Sequence, residues 1–119
     1  MTDTHRAAPS GLSIDRTAVD GMRVLTVRGE IDHDVKDVLS EALLSFDAAT
    51  PRTVVDLSGV TFMDSSGINV FVAAHQAMSD AQGWLRMACV QESVLRLLQL
   101  VGLDQVIGCH ATVEQALTA

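Results

Sequence analysis

Residues 53–78 read TVVDLSGVTFMDSSGINVFVAAHQAM, and the way this stretch divides decides the fold. Residues 53–57 are a short apolar run rich in β-branched side chains, bounded by Pro51 before it and Ser58-Gly59 after it. Such a run fits a strand buried on both faces. After Gly67 the apolar residues Ile68, Phe71, Val72 and Met78 fall at helical spacing, with Val70, Ala73, Ala74 and Ala77 between them. A helix apolar over so much of its circumference must be covered by the rest of the chain. Between strand and helix lies a polar hinge, Asp64-Ser65-Ser66-Gly67. Asp and Ser side chains accept hydrogen bonds from the unpaired N–H groups of a first helical turn, so the hinge is read as the start of the helix.

The flanking sequence alternates strands and helices around this centre. Residues 12–19 and 22–28 alternate apolar and polar on either side of Asp20-Gly21, a pair that supplies the positive φ angles of a two-residue hairpin turn. Val35, Val38, Leu39, Ala42, Leu43 and Phe46 then recur at three- and four-residue spacing, a helix for which Asp32 or Asp34 is the natural N-cap. Beyond the central helix, Gln82-Gly83 is a stop, residues 84–90 read as a strand, and residues 92–101 as a helix closed by a left-handed Gly102. Residues 103–107 read as a short last strand. Thr112 with Gln115 three residues later forms a capping box that opens a small C-terminal helix. The order ββαβαβαβα predicts an α/β fold: a mixed sheet covered by about four helices, with the hairpin at one edge. Residues 1–10 are read as a flexible tail and residues 11–119 as one domain.

Composition bounds the function. A chain of 119 residues with 48 % hydrophobic content suits one core. The net charge of −7, with seven Arg and the lone Lys36 scattered, argues against nucleic acid and against anionic membrane surfaces. No window has the apolar length of a spanning helix, which makes a cytoplasmic location the default expectation. Cys89 alternates with Leu85 and Met87 and is read as a buried free thiol. His5, His33, His75 and His110 lie far apart without metal-ligand spacing, so neither a metal nor a cofactor is expected. His75 is read as a satisfied packing histidine. A monomer is expected because each amphipathic face has an internal partner to cover it.

A plain cap would satisfy the hinge, yet one cap needs one side chain and here three consecutive residues could serve. A hydroxyl in a first turn is also a good phosphate acceptor, since a phosphoryl group there would meet free N–H groups and the positive end of the helix dipole. An enzyme is disfavoured. Ser65 and Gly67 half-match a nucleophile elbow, but Met63 replaces its leading glycine, and there is no phosphate-binding loop with lysine.

VVDLSGVTFMDSSGINVFV at 54–72, RGEIDH at 28–33 and VLRLLQLVGLDQVI at 94–107 together resemble the STAS domain of bacterial anti-sigma factor antagonists, over about residues 12–119. The resemblance implies that Ser65, directly after Asp64, is phosphorylated by an anti-sigma factor with serine kinase activity, and that Ser66 is its neighbour rather than the acceptor. It implies further that the unphosphorylated protein binds the anti-sigma factor and frees a sigma factor, that phosphorylation ends binding, and that a serine phosphatase restores it. The same resemblance makes residues 29–33 the loop beside the acceptor. The partner-contacting set is then Glu30, Asp32, Asp64, Ser65, Ser66, Gly67 and Asn69, with Asn69 standing where many members have glycine. A STAS module regulating a transporter or signalling assembly without a sigma factor is the alternative.

Overall fold

The computed structural model describes residues 11–49 and 51–119, so the tail expected over residues 1–10 lies outside the described residues. Five strands form one sheet in the order β1-β2-β3-β4-β5. They are β1 (Ser13–Val19), β2 (Met22–Ile31), β3 (Arg52–Met63), β4 (Trp84–Ala88) and β5 (Cys109–His110). The helices are α1 (Lys36–Leu44), α2 (Ser65–Asp80), α3 (Glu92–Leu100) and α4 (Val113–Thr118). β1 is the antiparallel edge and the other pairings are parallel, which is the mixed α/β sheet that the sequence predicts. Asp20 (φ 53°) and Gly21 (φ 80°) make the hairpin turn, and Gly102 (φ 78°) adopts the left-handed conformation after α3.

One face of the sheet carries the main core. Leu25, Val27 and Ile31 of β2, Val55, Leu57, Val60 and Met63 of β3, and Leu85 and Met87 of β4 pack there against Leu39, Phe71, Met78 and Leu98 of α1 to α3. On the other face a smaller cluster of Val24, Val54 and Ala88 is covered by Ala116 of α4. Two arginines fasten helices to strands. Arg23 of β2 donates to the carbonyls of Ala42 (2.8 Å) and Leu43 (2.7 Å) at the end of α1, and to the buried Thr53 hydroxyl at 3.2 Å. Arg86 of β4 stacks on Trp84 and donates to the Ala116 carbonyl of α4 at 2.9 Å. Each guanidinium satisfies helix-end carbonyls that have no partner within the helix.

The structure corrects several boundaries. β3 runs past Ser58-Gly59, because two bulges let it pair on with β2: the register shifts between Thr26 and Arg28 and again between Gly29 and Glu30. The Ser58 N–H is turned onto the Asp56 carboxylate at 2.9 Å, and the Ser58 carbonyl accepts the Gln91 side chain at 2.7 Å. β2 correspondingly continues to Ile31, so Glu30 is a strand residue rather than part of a loop. Gly29 lies at φ 117°, where a Cβ would come 2.5 Å from the Gly11 carbonyl oxygen; only glycine lets the chain leading into β1 lie against it.

Residues 103–107 form no strand. Leu103–Gln105 is a 3-10 turn whose Leu103 carbonyl accepts the N–H groups of Val106 and Ile107, and this burial of Leu103 and Ile107 four apart is a helical pattern in a stretch too short to distinguish. β4 stops at Ala88 because Cys89 is left-handed (φ 59°), so Cys89 leaves the alternation and is a half-buried free thiol packed on the opposite side from Met87. The amphipathic faces are not wholly covered either: Val38, Phe62, Leu100, Val101 and Val106 are exposed, Leu100 to 80 %. His75 is not satisfied, since its Nδ1 is buried without a hydrogen-bond partner among the described residues. No helix among those residues is long and apolar enough to cross a membrane.

Candidate functional site

The hinge is narrower than the sequence suggests, because α2 begins at Ser65 and its cap is Asp64 alone. Asp64 is extended (φ −112°, ψ −170°), and its Oδ1 accepts the Ser66 N–H at 2.8 Å. Its carbonyl accepts the N–H groups of Gly67 (3.1 Å) and Ile68 (3.3 Å). Its own N–H donates to the Ile31 carbonyl at 3.1 Å, which ties the end of β3 to the end of β2. The donors of residues 66–68 are therefore already taken. A phosphoryl group on Ser65 would meet fewer free donors than the sequence suggests, since among the described residues only the Ser65 N–H of this turn is left without a partner, and it would stand beside the Asp64 carboxylate.

Neither hinge hydroxyl makes a hydrogen bond among the described residues, so neither serine is used as the cap. Their settings differ. Ser65 is exposed. Ser66 is half-buried and, with the exposed Asn69, lines a groove of about 360 Å³ between α1 and α2, whose other polar walls are His33, Lys36, Asp37 and Ser40. Gly67 is buried. A Cβ on it would come within 2.7 Å of Ile31 Cγ2 and Met63 Cγ, so its absent side chain is what lets the first turn of α2 settle onto the ends of β2 and β3.

Of the remaining candidates, Asp32 is half-buried and caps the 3-10 turn His33–Val35, accepting the Asp34 N–H at 3.0 Å. Asp32 rather than Asp34 is therefore the cap that leads into α1. Glu30 is exposed and pairs across the ladder with Phe62. The fold thus places the ends of β2 and β3, the Asp32 turn and the start of α2 on one rim. Sequence reasoning missed three neighbours of that rim. Phe62 lies beyond the strand read at residues 53–57, and its alternation with buried Met63 places it on the other face; Lys36 and His33 are joined to Ser66 and Asn69 only by the packing of α1 on α2.

An α/β module that presents an unused hydroxyl at the start of its central helix is the class of protein these features define. Residues 13–116 match the STAS domain family. The chain is 31 % identical over 114 residues to the anti-sigma-F factor antagonist RsfB of Mycobacterium tuberculosis (strain ATCC 25618 / H37Rv), covering 94 % of this chain and 92 % of that protein. The crystal structure of an anti-sigma factor antagonist from Mycobacterium paratuberculosis superposes with a TM-score of 0.83 at 29 % identity, covering 93 % of this chain and 95 % of that one. Bacillus SpoIIAA in its phosphorylated form shares the fold, with a TM-score of 0.68 at 19 % identity over 91 % of this chain and 97 % of that one. The chain belongs to the STAS-domain family of anti-sigma factor antagonists.

Proposed function

We propose that this chain is an anti-sigma factor antagonist that works by partner switching, with Ser65 as the switch. The observation that carries the reading is the exposed Ser65 hydroxyl, left unused because Asp64 supplies the whole cap, in a chain whose relatives are named anti-sigma factor antagonists. In its unphosphorylated form the chain binds an anti-sigma factor that is also a serine kinase, and a sigma factor is released. Glu30, Asp32, Asp64, Ser66, Gly67 and Asn69 form or support the contact surface around Ser65.

The kinase then ends its own complex. Ser65 Oγ forms a bond to the γ-phosphorus of ATP held by the partner, the bond from that phosphorus to the bridging oxygen breaks, ADP keeps the electron pair, and the hydroxyl proton passes to a base on the kinase. The product phosphoserine faces the β-phosphate of ADP across the interface and the Asp64 carboxylate within this chain. Both are like charges, and the new phosphate gains nothing from the N–H groups of residues 66–68, which already bond to Asp64. A serine phosphatase restores the hydroxyl by hydrolysis. The chain itself catalyses nothing, acts in the cytoplasm and works as a monomer.

The test is intact-mass and binding analysis with the cognate anti-sigma factor and ATP. The wild-type chain is expected to gain one phosphate on Ser65 and to dissociate. Ser65→Ala is expected to gain none and to stay bound, and Ser65→Asp to bind more weakly. A single phosphate at another residue, or release of the Ser65→Ala protein under ATP, would overturn the proposal.

A further inference from the structure

Phe62 stands three residues before Ser65 and is 47 % exposed, whereas Phe71 of α2 is wholly buried. Its direction follows from the ladder. Ile31 and Met63 are register partners buried on the face that α1 to α3 cover, so their predecessors Glu30 and Phe62, also register partners, project from the opposite face. On that face α4 covers the cluster of Val24, Val54 and Ala88, and Phe62 is not part of it. Glu30 makes no ion pair or hydrogen bond among the described residues; Arg28, two positions before it in β2, is engaged by Asp15 at 2.7 Å. An aromatic ring and a carboxylate without a partner among the described residues thus lie side by side, and the bond from the Asp64 N–H to the Ile31 carbonyl fixes them to the rim that bears Ser65.

We propose that Phe62, beside the Glu30 already assigned to the contact surface, extends that surface for the anti-sigma factor onto the outer face of the sheet, where the partner offers an apolar pocket with a cationic side chain at its edge. This rests on the partner-switching reading and adds to it a site that does not change on phosphorylation. The occupant follows from continuity: Phe62 stands three residues before Ser65 on the strand end that the Asp64 N–H ties to Ile31, which puts it at the border of a kinase seated over the Ser65 hydroxyl, and a buried aromatic ring beside a paired charge is the composition that concentrates binding energy in an interface. Phe62 supplies affinity. Ser65 supplies the switch.

The test measures binding of purified cognate anti-sigma factor to the unphosphorylated chain and its variants. Phe62→Ala is expected to weaken binding by about tenfold or more, Phe62→Leu by less, and Glu30→Lys to add a loss that shrinks at high salt. Leu100→Ala, at the far end of α3, should change nothing. Because Phe62 is exposed, Phe62→Ala should melt within a few degrees of wild type, which separates a contact from a folding defect. Wild-type affinity in Phe62→Ala, with phosphorylation still releasing both proteins, would overturn this inference and leave the switch standing. Loss of self-association in Phe62→Ala, seen by sedimentation of the chain alone, would also overturn it, since the ring would then serve a second copy. Wild-type protein that never binds, or never releases, would instead refute the partner-switching reading.

Discussion

Asp64 and Gly67 determine where the Ser65 hydroxyl stands, and each makes its contribution by a different force. Asp64 satisfies donors: its side chain holds the Ser66 N–H and its carbonyl those of Gly67 and Ile68. Replacing a capping side chain by alanine costs about 1 kcal/mol, so Asp64→Ala should lower the midpoint of urea unfolding by that equivalent. Asp64→Asn, which keeps an acceptor oxygen, should lie close to wild type. Gly67 works by being small. Alanine in a helix is favoured over glycine by roughly 0.5–1 kcal/mol, but a Cβ there would come 2.7 Å from both Ile31 Cγ2 and Met63 Cγ. Overpacking of that kind typically costs 1–3 kcal/mol. The packing term wins, and Gly67→Ala is expected to be destabilised by about 1 kcal/mol or more in the same urea measurement, and, under the proposed switch, to show slower phosphorylation of the displaced Ser65.

Among the elements, α1 depends on a strand to finish it. The Arg23 guanidinium is held by two carbonyls of its last turn and by the Thr53 hydroxyl, in surroundings where burial, and then Arg16, draw its pKa below the usual arginine value. Arg23→Met would leave those carbonyls unpaired, and a charge-assisted hydrogen bond is worth roughly 1.5–3 kcal/mol. Partial exposure reduces this to an expected loss of about 1–2 kcal/mol, read by chemical denaturation, together with faster amide exchange at the end of α1. No local pattern announces this clamp, since its partners are nineteen and twenty residues away. What was legible in the sequence is what local chemistry dictates. Asp20-Gly21 specified its turn, Gly102 its left-handed cap, and Thr112 its bond to the Gln115 N–H, 3.0 Å in the structure. The order of elements and the Asp64 start of α2 were legible for the same reason. What escaped was set by pairing at a distance: the bulges that carry β3 on to Met63, the 3-10 turn in place of a strand at residues 103–105, and the groove that joins Lys36 to Ser66.

At the scale of the whole molecule, both thiols line one shallow pocket at the β4–β5 edge, and burial, with the nearby Asp56 and Asp104 carboxylates respectively, pushes Cys89 and Cys109 above the ordinary thiol value of 9.0. Below that value folded and unfolded chains are both protonated and the thiols add no pH dependence. As the pH rises through it, the unfolded chain gives up these protons first, so stability falls until the folded thiols ionise as well. The Cys89→Ala, Cys109→Ala double variant should therefore show a flatter alkaline decline in unfolding free energy, and alkylation of the wild-type thiols at neutral pH should be slower folded than unfolded. The close approach of Gly11 to Gly29 bears on how such experiments are built. A label joined directly at Gly11 would sit beside Gly29 and Glu30, at the proposed contact surface, and could imitate a loss of binding. α4 runs back from the end of β5, its Ala116 carbonyl reaching Arg86 lower in β4, so a label placed after Ala119 leaves that surface clear.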